Sequence, residues 1–348
     1  MPSAITMPIL LEQIRSGAPD AEVRILVATG FHRIMTEDEL RARFTDAIVD
    51  TQTVLVHDAR DAASMEYFGV MPSGGELWLN REALLADLVI SEGFIEPHFF
   101  AGYSGGRKSV LPGIASEKTV FFNHNAEFIA DANARNGILH NNPIHVDMIF
   151  AAKQAKLAFI LNVCLNEHKQ IVRAYAGDVQ EAHAQGCAFV ATQTSVRAQP
   201  ADIVVTGNGG YPLDLNIYQA VKCMSGAEPF VREGGVIIAL CSCVDGHGSE
   251  GFYDLFMQNR TPEAVEQAIL ARGRDGTMPD QWQAQILARV MKKATVVLVS
   301  QHCDPALIES FGLVASRTFD EALAIADGIA GKHGSVLFMP NGVEIIAQ

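Results

Sequence analysis

Asp202-Ile-Val-Val205 passes directly into Thr206-Gly-Asn-Gly-Gly210-Tyr-Pro-Leu-Asp214 and then into Ile217-Tyr-Gln-Ala-Val-Lys222. A short β-branched run suits a buried strand, the glycines suit a turn, and Ile217, Val221 and Met224 fall at helical spacing, so the segment reads as strand, loop, helix. Runs of the same kind recur at intervals that leave room for helices: residues 23–28, 53–56, 87–90, 157–161, 235–238 and 295–299. Continuous apolar runs of this length predict strands buried on both faces, hence mainly parallel sheets. Between the first two, Thr36-Glu-Asp-Glu39 reads as a capping box that starts a helix bearing Leu40, Phe44 and Ile48. The expected class is α/β, two domains with largely parallel sheets.

A chain of 348 residues is long for one core. The polar stretch 192–200, ending in Pro200, predicts one crossing between domains, and a second is expected near Ser316. The division is therefore residues 1–196 with 317–348 as the N-terminal domain, and 197–316 as the C-terminal α/β domain. In this reading the helix-like residues 321–326 and strand-like residues 336–338 return to complete the first domain.

Lys and Arg number 26 against 40 Asp and Glu, a formal charge of −14, which disfavours nucleic acid or anionic membrane as a partner. An acidic substrate then needs a local basic pocket. Six scattered cysteines (Cys164, Cys187, Cys223, Cys241, Cys243 and Cys303) form no C-x-x-C pair or secretory framework, which suits a reducing cytoplasm. The amino-terminal apolar run stops at Glu12 without a basic flank, unlike a signal peptide, and no run approaches the roughly 18 to 20 residues of a membrane span.

Candidate chemistry concentrates in Glu96-Pro-His98-Phe-Phe-Ala-Gly102-Tyr-Ser-Gly-Gly106-Arg-Lys108-Ser-Val-Leu-Pro-Gly113. Glycines permit close backbone approach to a ligand; the plainer reading is a connection with solvated cations. The phosphate-loop pattern is missed by one residue, because Arg107 stands where a glycine must approach phosphate and Pro112 would interrupt the following helix. His32 follows a strand end, where α/β folds gather ligand chemistry; His98 and His124 also sit beside sequence breaks. Tyr218 and Lys222 share one helix face able to grip an anion, the plainer reading being a lysine stem over a tyrosine ring. Cys241-Ser-Cys243-Val-Asp-Gly-His247 has no standard zinc spacing and reads as a loop after a strand.

Four segments in order, Ala28-Thr-Gly-x-His32-Arg, the Glu96 to Gly113 segment, His124, and Gly209-Gly-Tyr-Pro-Leu-Asp-x-Asn-x-Tyr-Gln219-Ala-x-Lys222, resemble the nickel-pincer lactate racemase family. The likeness spans nearly the whole chain. It implies a cytoplasmic racemase or epimerase of a lactate-like 2-hydroxy acid, an isomerase working by proton-coupled hydride transfer. It also implies a lysine-tethered cofactor, the nickel-pincer nucleotide (a pyridinium-3,5-dithiocarboxylic acid mononucleotide with Ni(II)), and cofactor-synthesis enzymes as maturation partners. By resemblance Lys108 carries the tether and makes the N-terminal domain the tethering one. His124 is then the nickel ligand, and His32 and His98 are the acid/base pair. Lys222 joins the catalytic set, Tyr218 and Gln219 contact cofactor, and Trp282 lies against substrate, in an interdomain active-site cleft. Soft donors with one imidazole suit planar Ni(II), and histidine, with an ordinary pKa of about 6.5, suits hydroxyl proton transfer. The family also carries a front segment with an Asp-x-Thr-Arg-Pro motif. This chain begins inside that region, so the expectation is a form lacking it, through a misassigned start, a truncation or a shortened paralogue, and Arg33 is not expected to replace its arginine. The alternative is a non-catalytic nucleotide- or small-acid-binding paralogue with an incomplete active site; His32 and His98 favour the enzyme.

Overall fold

The computed structural model describes residues 1–348, which divide into two units. One comprises residues 1–96, 103–123 and 139–192; the other comprises 97–102, 124–138 and 193–348.

In the first unit, Arg24–Val27 and Thr53–Val56 pair in parallel, with Ile25 opposite Val54. Their crossover holds the helices Glu37–Phe44 and Asp46–Thr51. The first of these starts at a formed capping box, Thr36 accepting from Glu39 N while the Glu39 carboxylate accepts from Thr36 N. Ile25, Val27, Leu40, Phe44 and Ile48 bury together, with Met7 and Leu11 of the leading helix packed on them. Met65–Val70 and Glu76–Asn80 form a hairpin. Val89–Phe94 runs parallel to Leu157–Leu165, which pairs antiparallel with Ile171–Gly177. The connection there is too short for a crossover helix, and the Asn166 side chain closes it by accepting from His168 N and Gln170 N.

The second unit is built on a five-stranded, wholly parallel sheet in the order Val314–Ser316, Thr295–Val299, Val231–Leu240, Ala201–Gly207, Val336–Met339. Ile203, Val205, Val236, Ile238 and Val297 bury one face beneath Ala322 and Ala326 of the helix Phe319–Ala330. The tail therefore does not return to the first domain as the sequence suggested. Its helix offers a small-residue stripe that fits this sheet, and its strand completes the sheet beside Ala201–Gly207. Residues 97–102 and 124–138 also belong here, against expectation. Gly137 N donates to Gly102 O, Asn136 to Ile345 O and Gln285 to Ala126 O, so bonds to remote sequence fix them. No helix is long and apolar enough to cross a membrane.

Candidate functional site

His32 and Lys108 lie in the first unit, on loops joined through one glycine. Gly113 N donates to Lys108 O at 3.1 Å, and Gly113 O accepts from Gly30 N at 3.0 Å, two residues before His32. Gly30 has φ +59°, a turn that frees the strand end from its sheet. Phe31 is held edge-on to Phe121 with the Arg60 guanidinium over its face, leaving the neighbouring His32 exposed. A buried residue the sequence reading missed, His57, locks this region. Its Nε2–H donates to Ala115 O at 3.0 Å, its Nδ1 accepts from Asn80, and burial holds its pKa below the usual value. Gly113 itself has no room for a side chain, since a Cβ would stand 2.1 Å from Ser109 O. Gly113→Ala should cost more than about 2 kcal/mol by overpacking, read as a lower urea midpoint; an unchanged midpoint would show that the loop can yield.

Lys108 sits in a four-residue 3-10 turn, Gly106–Ser109. This is no phosphate loop opening a helix. Arg107 is fully buried as the anchor of the turn, donating through Nη1 to Tyr103 O at 2.7 Å and Gly105 O at 3.2 Å, and through Nε to His145 Nδ1 at 3.0 Å. Asn162 Oδ1 accepts from Gly106 N at 2.7 Å, and a Cβ on Gly105 would meet that oxygen at the same distance. Burial draws the Arg107 pKa down to about 10. Burial first, and the Arg107 charge second, push His183 and His145 down to about 3. The His183 Nε2–H donates to Ser104 O at 2.8 Å, so the Arg107 approach to the same nitrogen at 3.2 Å is a repulsive contact rather than a second bond. In the unfolded chain both histidines titrate near about 6.5. As pH falls through that value the unfolded state takes up protons and the folded state does not, so stability declines progressively toward about pH 3. Denaturant midpoints at about pH 7 and about pH 5 should therefore differ less in His183→Gln than in the parent. An equal difference in both proteins would remove His183 from the acid response.

In the second unit the strands run outward from Ala201–Gly207 to one side, and the chain then returns to place Val336–Met339 on the other. That reversal is a topological switch point, and open α/β sheets bind ligands at its carboxyl ends. Two loops emerge there, after Gly207 and after Met339, tied by Gly342 N donating to Gly207 O at 3.0 Å. The buried Asn208 accepts from Cys223 N at 3.0 Å and donates to Gln219 O at 3.1 Å, and Asn216 caps the helix Ile217–Ala227 by accepting from Gln219 N. The cap sets Tyr218 and Gln219 in the first turn, with half-buried Lys222 one turn further on. Two buried oxygens here, Thr206 Oγ1 and Gln219 Oε1, have no hydrogen-bond partner. Desolvation of such atoms is costly unless a ligand satisfies them.

The same unit assembles an aromatic wall. His98 Nδ1 accepts from Ala101 N at 3.2 Å, which leaves its Nε2 carrying the proton in the neutral ring. Phe100 stands edge-on to His98 at 4.5 Å and to His124 at 5.0 Å, and His124 is edge-on to Trp282 at 5.3 Å. His124 is buried between the helices Glu117–Asn123 and Ala126–Ala130, the second capped by Asn125. Trp282 Nε1–H donates to Tyr218 Oη at 3.2 Å, whose own proton goes to Asp280 Oδ1 at 2.9 Å. Asp280 carries no motif signal and was missed in the sequence reading, and Ser249 was read only as part of a loop. The Cys241 to Ser249 segment is a loop, as read. Arg33, exposed, forks onto Glu39 at 2.8 and 2.5 Å, a pairing that already occupies its guanidinium.

No group of three His, Cys, Asp or Glu side chains is placed to hold a metal ion. A metal at His124 would take its other ligands from a non-protein group. An imidazole between two aromatic rings, in a unit that also leaves buried oxygens unsatisfied at a strand end and a helix start, fits a soft-donor organic cofactor of that kind.

The fold and these residues define a two-unit α/β protein suited to small-ligand chemistry on glycine-rich loops at strand ends. Residues 1–137 match the lactate racemase N-terminal domain and 196–347 the lactate racemase C-terminal domain. The chain belongs to the lactate racemase family. It is 49% identical over 348 residues, all of this chain and 82% of the relative, to the lactate racemase of Thermoanaerobacterium thermosaccharolyticum. Identity and coverage are the same for the lactate racemase of Lactiplantibacillus plantarum. The Thermoanaerobacterium apoprotein structure superposes with a TM-score of 0.98 over all of this chain and 83% of that one. A Thermotoga maritima crystal structure, 17% identical, shares the fold with a TM-score of 0.73 over 97% of this chain and 88% of its own.

Proposed function

We propose that this protein racemises lactate or a closely similar 2-hydroxy acid, with Lys108 tethering a nickel-pincer nucleotide and His124 ligating its nickel. The observation that carries the reading is 49% identity to lactate racemases along the whole chain, with His124 held between the Phe100 and Trp282 rings. When bound, the group supplies an acceptor for the C2 hydrogen together with its electron pair.

This chain's residues do the rest. Removing the C2 hydrogen as a proton would leave a carbanion beside a carboxylate, which neither His32 nor His98 is basic enough to favour. Their task is the hydroxyl proton, one histidine for each hand of the substrate. With its Nδ1 accepting from the Ala101 amide, the neutral His98 ring presents Nε2–H as a donor to a substrate oxygen; taking up the hydroxyl proton at Nε2 requires the other tautomer, with that amide bond released. Lys222 holds the carboxylate by charge, Gln219 completes a bond to the cofactor through its unsatisfied Oε1, and Trp282 limits the substrate's room. Loading requires cofactor-synthesis enzymes as maturation partners, and the six free, buried cysteines suit a reducing cytoplasm as the place for it. The test is protein made with those enzymes and given L-lactate: D-lactate should appear up to an equimolar mixture. Loaded protein that leaves L-lactate untouched would overturn the substrate assignment.

A further inference from the structure

We propose that Asp280 is a positioning residue that holds Trp282 against His124 through Tyr218, and so fixes the orientation of the imidazole that ligates nickel. The claim about nickel rests on the function proposed above; the hydrogen-bond network stands on geometry alone.

The direction of each bond follows from what each group is able to donate. An indole Nε1–H only donates, so Tyr218 Oη accepts from Trp282 at 3.2 Å. A carboxylate only accepts, so the phenol proton points to Asp280 Oδ1 at 2.9 Å, and the other oxygen accepts from Ser249 Oγ at 2.6 Å. Tyr218 consequently has no proton left to give a substrate, and its part is to orient the indole. Burial, with the Asp280 charge second, raises the Tyr218 pKa well above its usual value, which keeps that proton in place.

Asp280 is well placed for this task. It occupies a left-handed conformation, φ +63°, immediately before the helix Gln281–Lys293, a conformation that Asp tolerates better than most side chains. Its two partners join its own helix to two others: Tyr218 lies in Ile217–Ala227 and Ser249 at the cap of Glu250–Gln258, while Asp280 precedes the helix bearing Trp282. Gln283 Nε2 donates to Tyr218 O as a further tie between the first and third helices. With the indole so fixed, its edge-on contact at 5.3 Å packs the His124 ring from one side and Phe100 packs it at 5.0 Å from another. Outer partners that hydrogen-bond a metal-bound imidazole typically change metal binding about 10- to 100-fold when lost, and the packing support from Trp282 is expected to act on the low side of that scale.

The test has two arms. In apo protein labelled with ¹⁵N, the chain's two tryptophans give two indole signals, and Trp282→Phe assigns one of them. Asp280→Ala and Tyr218→Phe should both move the Trp282 signal away from its hydrogen-bonded position, and Asp280→Asn, whose amide oxygen still accepts from Tyr218, should restore it. In protein carrying the cofactor, nickel release to a chelator should be at least about tenfold faster in Asp280→Ala than in the parent, with Asp280→Asn close to the parent and the mass adduct present in all three. A Trp282 signal that ignores Asp280→Ala would overturn the network. A shifted signal with unchanged nickel release would overturn its role toward His124. A parent protein with no adduct would refute the cofactor reading instead, and the apo arm would still decide the network.

Discussion

Lys108→Ala is expected to give a protein at its bare sequence mass and free of nickel, even when made together with the cofactor-synthesis enzymes. The substitution removes the amine and leaves the backbone bonds that shape the turn, Lys108 N to Gly105 O and Gly113 N to Lys108 O, in place. Arg107 still anchors the loop from beneath. Folding should therefore survive while racemisation falls at least ~1,000-fold, the scale of losing a member of a group that acts as a unit. Intact-mass measurement and metal analysis on the same sample decide it. An adduct that survives the substitution would assign the tether to another residue.

His124→Ala should separate the two properties: the mass adduct stays and the nickel goes. In the proposed assignment His124 is a ligand and not the tether, and no group of three His, Cys, Asp or Glu side chains is placed to hold the metal without it. Activity should drop to a comparable extent. Because His124 is buried between the Phe100 and Trp282 rings, the emptied space should also cost about 2–5 kcal/mol. His124→Gln, which fills more of that space, separates the metal effect from instability. Nickel retained in a folded His124→Gln protein would reject the ligand role.

Much of the fold was legible because the strands coincide with short runs of β-branched and apolar residues. Thr53–Val56 and Thr295–Val299 are bounded where the apolar runs are, and the capping box at Thr36 formed as written. The tail was misplaced because a strand as short as Val336–Met339 names no partner; only the register of Ala201–Gly207 on both its edges does. The segments bearing His98 and His124 were assigned to the wrong unit for a related reason. They are held by bonds such as Asn136 to Ile345 O, between residues 209 positions apart, and no local pattern records such a pairing.

The glycine-rich loops were readable because glycine leaves a signature. Gly113 marks a close backbone approach, and Gly30 and Gly105 mark positive φ. Supporting polar residues leave none. Asp280 looks like any loop carboxylate and Asn162 like any strand residue, and their importance appears only once Tyr218 and Gly106 are in place beside them.

The most direct test of the account follows the C2 hydrogen. L-lactate carrying deuterium at C2 is incubated in ordinary water with protein loaded with the cofactor, and the enantiomers and their label are measured together. Proton transfer confined to the hydroxyl predicts D-lactate that keeps most of its deuterium. D-lactate that has lost the label to solvent at the rate of racemisation would mean direct proton abstraction at C2, and would contradict the roles assigned to His32, His98 and the cofactor on Lys108.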